Sequence, residues 1–196
     1  MARLNLRVYI DLKTQINFVY LVMDKRFLDI YKIVMEYEGG YVNHPNDPGG
    51  ETYKGISRRA HPNWAGWRLI DQKKPVPENL VQEFYHENYW KRLRANEMPY
   101  PVGEYLFDFG VNAGITRAVI MAQRALNVTT DGVLGPVTMR AIQQQDPQKL
   151  MYELLRHRIA YYTDITMRRS QFQVFFLGWI RRTIEVFNNL MAKLKK

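Results

Sequence analysis

The 196-residue chain has no cysteine, so disulfide bridges and thiolate metal sites are excluded. Its four histidines, at positions 44, 61, 86 and 157, show no metal-ligand spacing, and His86-Glu87 lacks the second histidine of a zinc-protease helix. The acidic loop pattern of an EF-hand calcium site is missing as well. No metal and no cofactor are expected. Long apolar runs are equally scarce. Phe18 to Met23 is too short for a signal-peptide core, and Arg3, Arg7, Asp11 and Lys13 interrupt the N-terminus. Val174 to Ile180 is too short to span a bilayer. No signal peptide or transmembrane helix is evident, so export needs outside help. Internal repeats, low-complexity tracts, Gly/Ser-rich spacers and nucleic-acid-binding motifs are also missing.

What is present is an ordinary globular composition, 46% hydrophobic, long enough to bury one substantial core or two small ones sharing an interface. The net charge of +9 is uneven. Residues 1 to 37 carry +2, residues 38 to 153 carry thirteen charges of each sign, and residues 154 to 196 carry nine basic against two acidic groups. The basic surplus is a C-terminal property that suits a polyanion such as a wall polymer or an anionic membrane face; a solvated helix face is the plainer reading. Without a recognition motif, nucleic acid is not expected as a partner.

One stretch concentrates chemistry. EGGYVNHPNDPGGETYKGI, from Glu38 to Ile56, holds three carboxylates (Glu38, Asp47, Glu51), Thr52 and five of the twelve glycines. Before it, Phe27, Tyr31, Val34 and Met35 recur at helical spacing, which predicts a helix from Asp24, its cap, to about Tyr37. Glu38 falls on the same face, at the end of an apolar stripe. Gly39-Gly40 signals a left-handed helix end. Apolar surroundings and the negative end of a helix dipole both raise a carboxyl pKa, as a general acid requires. The turn residues that follow, His44-Pro45, Asp47-Pro48, Gly49-Gly50 and Lys54-Gly55, predict a small irregular β-hairpin. That hairpin can set Asp47, Glu51 or Thr52 opposite Glu38, the pairing that glycoside hydrolysis uses. The competing reading is a solvated helix end followed by a turn in which Asp47 is structural.

Further along, Asn63 to Trp67 places two tryptophans beside a glycine, either packed or lining a sugar cleft. Pro77-Glu78 opens a core helix carrying Leu80, Val81, Phe84, Tyr85, Tyr89 and Trp90. The two prolines of Asn96 to Pro101 mark an internal boundary. Leu106 to Leu126 reads as a central helix whose small residues admit another backbone, with Asp108 and Asn112 on one face as either a buried pair or cleft residues. Asp131-Gly132 makes a turn, and Gly135-Pro136 starts the next helix. Helices follow from Pro147 to about Thr166 and from about Gln171, the last flanked by Arg168, Arg169, Arg181 and Arg182.

The run E-G-G-Y-x5-D-P-G-G-x-T-x2-G-I resembles the signature of glycoside hydrolase family 108, the N-acetylmuramidases of phage endolysins and of lysozyme-like secretion-associated proteins. The resemblance covers roughly residues 27 to 185. It implies a mainly α, lysozyme-like helical fold with a short β-hairpin at the active site, and makes Glu38 the catalytic residue. Phage lysozymes space a Glu, Asp and Thr with eight and then five residues between them. Here eight separate Glu38 from Asp47 and four separate Asp47 from Thr52, so the second spacing departs by one. Asp47 and Thr52 complete the catalytic set on this basis, with Tyr41, Glu51, Tyr53, Asp108 and Asn112 as substrate-binding candidates. Gln123 to Thr138 (QRALNVTTDGVLGPVT) resembles a helical peptidoglycan-binding motif. The expected organisation is an extension of unknown role (1–22), a lysozyme-like catalytic part (23–98) and a helical peptidoglycan-binding-like part packed onto it (99–196). The expected function is cleavage of the β-1,4 bond between N-acetylmuramic acid and N-acetylglucosamine by a monomeric phage endolysin. Such an enzyme would be made in the host cytoplasm and act in the periplasm or wall. The alternative is a non-catalytic wall-binding or secretion-associated module.

Overall fold

The computed structural model describes residues 23–43 and 50–194. The extension 1–22 and Asp47 lie outside the described residues. Among those described are eight α-helices and one sheet. The order is α1 (Lys25–Met35), β1 (Tyr41–Val42), β2 (Thr52–Tyr53), β3 (Ile56–Ser57), α2 (Gly66–Asp71), α3 (Glu78–Tyr85), α4 (Val102–Ala113), α5 (Ile115–Ala125), α6 (Pro136–Gln144), α7 (Pro147–Arg168) and α8 (Gln173–Leu194). The fold is mainly α, as expected.

α1 begins where Asp24 accepts the backbone N–H of Arg26, and it buries Phe27, Ile30, Tyr31 and Val34. It stops earlier than its apolar stripe suggested. Glu36 and Tyr37 bond back to Ile33 and Val34 (3.3 and 3.0 Å), three residues each, so the last turn tightens and Glu38 stands beyond the helix. Gly39 and Gly40 are not left-handed, and a Cβ on either would meet nothing within 4 Å.

The expected hairpin is a three-stranded antiparallel sheet in the order β1-β2-β3. Tyr41 pairs with Tyr53 and Thr52 with Ser57. The β2–β3 turn takes positive φ at both central residues, Lys54 (45°) and Gly55 (76°), the geometry that matches the twist of a two-residue hairpin. Lys54 is held there by an ion pair to Glu78 and by Tyr85, whose hydroxyl donates to the Lys54 carbonyl at 2.7 Å.

α4 is the centre of the molecule, buried continuously from Val102 to Gly110 and packed against α1, α5, α7 and α8. Gly103 explains one close approach: a Cβ there would lie 2.3 Å from the Ala95 carbonyl oxygen. The long helix read from Leu106 to Leu126 is two helices. Gly114 (φ 96°, ψ 147°) breaks it, in backbone space that essentially only glycine occupies. The buried apolar residues form one cluster from Phe27 to Met191. It passes through Ala95, Met98 and Val102, where the prolines suggested a boundary.

Gly132 (φ 74°) and Pro136 at the start of α6 sit as the turn chemistry required. Their hub is buried Gln123, which donates to Asp131 Oδ1 (2.6 Å), the Val133 carbonyl (3.1 Å) and Thr138 (3.2 Å) and accepts from Gly132 N–H (2.9 Å).

Candidate active site

Glu38 leaves α1 with its side chain 17% exposed, and three elements converge on it. From α8, Arg182 Nη1 meets Oε1 at 3.1 Å. From the β2–β3 turn comes Gly55: an alanine Cβ there would lie 2.5 Å from Glu38 Oε2 and 2.5 Å from the Tyr85 hydroxyl. From α3 comes Tyr85 itself. Burial first, and the Glu38 charge second, push the Tyr85 phenol up, so it remains a hydrogen-bond donor at neutral pH. The same two causes raise Tyr89. Glu38 therefore does not face apolar side chains alone, as its stripe suggested; a guanidinium holds one of its oxygens.

Arg182 is fixed from behind. Asp108 Oδ1 accepts from Arg182 Nε (2.9 Å) and pairs with Nη2 (2.8 Å), while Asp108 Oδ2 pairs with Arg158 Nη1 at 2.7 Å. Asp108 and Arg158 are wholly buried. Burial alone would raise the Asp108 pKa, but the Arg158 and Arg182 charges outweigh it and hold the carboxyl below its ordinary range. Arg158 is ringed by Tyr105, Phe109 and Tyr162 at 5.2, 5.1 and 5.8 Å, where cation–π attraction offsets lost hydration. Arg182 lies 4.9 Å from the Tyr37 ring.

Two expectations are corrected here. Asp108 cannot line a cleft, because it has no exposed surface and both oxygens are taken by guanidiniums. Arg182 does not belong to a basic surface, because it is buried between Asp108 and Glu38. Asn112, one turn after Asp108, accepts the Tyr162 hydroxyl. Thr52 donates to the Gly50 carbonyl at 3.2 Å. Glu51 pairs with Arg58 (2.6 Å) and accepts from the Tyr41 hydroxyl (2.9 Å), bracing the sheet. Tyr41 is half exposed, and Tyr53 stacks on Trp64 at 6.0 Å. Both tryptophans of Asn63 to Trp67 pack: Trp67 is buried beneath Arg58, and Trp64 folds over Gly66, where a Cβ would lie 2.3 Å from its ring.

The sequence did not point to the burial of Arg158 and Arg182 or to their pairing with Asp108, although a signal was available. Arg158 lies four residues from both Leu154 and Tyr162, and Arg182 lies between Trp179 and Val186, each inside an apolar face. An arginine in a core stripe needs a buried counter-charge.

A family model described as glycosyl hydrolase 108 matches residues 31–114, and one described as "Predicted Peptidoglycan domain" matches residues 117–184. The structure of SagA from Brucella abortus is 30% identical, covering 85% of this chain and 94% of that one, with a TM-score of 0.71. The chain belongs to the glycosyl hydrolase 108 family. A search of curated proteins gave no match. Family membership makes the protein a lysozyme-like glycoside hydrolase whose partner is peptidoglycan. Among the described residues no helix is long and apolar enough to cross a membrane. In this member of the family, Glu38 and Asp108 come from the first matched segment and Arg158 and Arg182 from the second, so the ion network crosses from one to the other.

Proposed function

We propose that the protein is an N-acetylmuramidase in which Glu38 is the general acid. The observation that carries this reading is the Glu38 carboxyl itself: partly exposed, with one oxygen fixed by Arg182 at 3.1 Å and the other against Gly55. Glu38 gives its proton to the glycosidic oxygen as the bond to the anomeric carbon of N-acetylmuramic acid breaks. Water then adds to that carbon and gives its proton to a base. Gly55 leaves room beside the reacting oxygen, and the bare Gly39 and Gly40 leave the approach open. Asp47 and Thr52 remain the candidates to position water or to stabilise the cationic sugar; Tyr41, Glu51, Tyr53 and Asn112 remain candidates to hold the glycan.

Within this reading the catalytic part (23–98) and the helical part (99–196) work as one unit, because Arg182 of the second orients the acid of the first. Exposed Arg168, Arg169 and Arg181, beside exposed Met167, Val174, Phe175 and Leu177, form the surface for anionic wall polymer or membrane. The likeness of the Glu38 motif to phage endolysins supports lysis of a host cell as the biological role, with a monomer acting in the periplasm or wall.

The test is Glu38→Gln on purified peptidoglycan, scored by new reducing ends. The amide keeps the shape but delivers no proton, so a folded variant should lose about a hundredfold or more. A folded variant with near-normal activity would move the acid to Glu51 or Asp47.

A further inference from the structure

The three helices that carry the buried ion network carry a second layer one turn further on. Asp108, Arg158 and Arg182 form the first layer. Four residues on in α4 and α7, and three back in α8, stand Asn112, Tyr162 and Trp179. At about 1.5 Å per residue the second layer lies roughly 5–6 Å along the helix axes. Tyr162 donates to Asn112 and stacks on Trp179, with ring centres 5.0 Å apart. These side chains help line a cavity of about 390 Å³.

The rest of that cavity is strongly biased in charge. Arg117, Arg168 and Arg169 line it against one carboxylate, Asp164, which pairs with Arg168 at 2.7 Å. Arg117 gives Nη1 to the Ala113 carbonyl (2.8 Å), and Arg169 lies 5.9 Å from the Phe172 ring. A guanidinium has five N–H donors, so these contacts leave most of them for a ligand. A neutral N-acetylated sugar does not call for three guanidiniums. A peptide bearing free carboxylates does, and the fork of an arginine matches a carboxylate in two places.

Peptidoglycan contains such a peptide: the stem on the lactyl group of N-acetylmuramic acid ends in free carboxylates. We propose that this cavity binds the carboxylate-bearing stem peptide of the substrate strand. The inference rests on the reading of Glu38 as the acid of an adjoining glycan cleft, since only then does a stem peptide hang beside the second layer. The cavity would select strands whose stems keep their carboxylates and hold the muramic residue in place for Glu38.

Calorimetric titration of the Glu38→Gln protein tests this without depending on turnover. The ligands are a soluble glycan fragment carrying stem peptides and the same fragment with the stem carboxylates converted to amides. The fragment with free carboxylates should bind at least tenfold more tightly, and Arg168→Ala/Arg169→Ala and Arg117→Ala should each shrink that advantage while keeping a wild-type melting profile. Equal affinity for the two fragments, or an advantage that survives both variants, would overturn the proposal. Inorganic polyphosphate competing as well as the stem peptide would also overturn it, leaving Arg168 and Arg169 only the polyanion contact proposed above. If Glu38→Gln retains hydrolysis, the reading of Glu38 fails by that result alone and the binding comparison is still decided by its own numbers.

Discussion

The segment matching the glycosyl hydrolase model and the segment matching the peptidoglycan model bury charges of opposite sign. Among the described residues the buried acidic and basic side chains of 31–114 include Glu104 and Asp108 but no arginine or lysine, and those of 117–184 are Arg158 and Arg182. Glu104 finds its partner in Arg26 of α1, at 2.7 Å. Asp108 finds its two partners only in the other segment. A binding module tethered to a catalytic one would neutralise its own interior. Here each segment leaves an ionic deficit that the other fills, and the charge at their junction ends on Glu38. The peptidoglycan-matching helices therefore supply the guanidiniums that pair with Asp108 and Glu38 of the other segment.

The strongest way to break that complementarity is to neutralise Asp108. Asp108→Asn keeps the shape but strands two guanidiniums in the core, which should cost about 3–5 kcal/mol of stability. Its pH dependence gives a signature. A carboxyl whose folded pKa is depressed contributes stability that is complete above its unfolded value, about 3.9, and lost as pH falls through the folded value. The melting-temperature gap between wild type and Asp108→Asn should be constant above about pH 5 and narrow below about pH 4. A gap independent of pH would deny Asp108 its charge.

A smaller effect is expected at Gly114, the last residue of the first matched segment. Gly114→Ala meets no close atom, only Arg117 Nη1 at 3.8 Å, so its cost is backbone strain of about 1–3 kcal/mol in a denaturant titration. A neutral result would mean that the junction can adopt another conformation. Smallest of all should be the effect of the surface. Neutralising Arg168, Arg169 and Arg181 together, with Arg182 left alone, should weaken sedimentation with intact walls a few-fold and flatten its salt dependence. An unchanged salt slope would remove the surface from the account.

Helical spacing made the mainly α fold legible, and the Asp-Gly and Gly-Pro pairs located the turns around Gly132 and Pro136. Two breaks were harder. Gly114 sits in a run of small residues that reads equally as helix packing, and its role depends on a backbone conformation rather than on composition. The third strand is two residues long, too short for a period-two pattern to register. In the candidate site, the motif singles out Glu38 as the proposed acid, whereas for Asp108 the sequence left a buried pair and a cleft residue open, and the structure shows the buried one. The reason lies in the arginines. Counting charge along the chain placed Arg158 and Arg182 in a basic C-terminal surplus, because a count is blind to burial; their positions inside the Tyr162 and Trp179 stripes were the better guide.

The central claim, that Arg182 holds the Glu38 carboxyl for proton transfer, is tested most directly by the rate of reducing-end release from purified peptidoglycan by Arg182→Met and Arg182→Lys, each first shown to melt cooperatively. Lysine keeps the charge without the fork that bridges Asp108 and Glu38. The expected result is a fall in kcat of about tenfold or more for Arg182→Met, from the misplacement of a catalytic group, with partial recovery in Arg182→Lys and a smaller change in KM. A folded Arg182→Met protein that releases reducing ends at the wild-type rate would contradict the account.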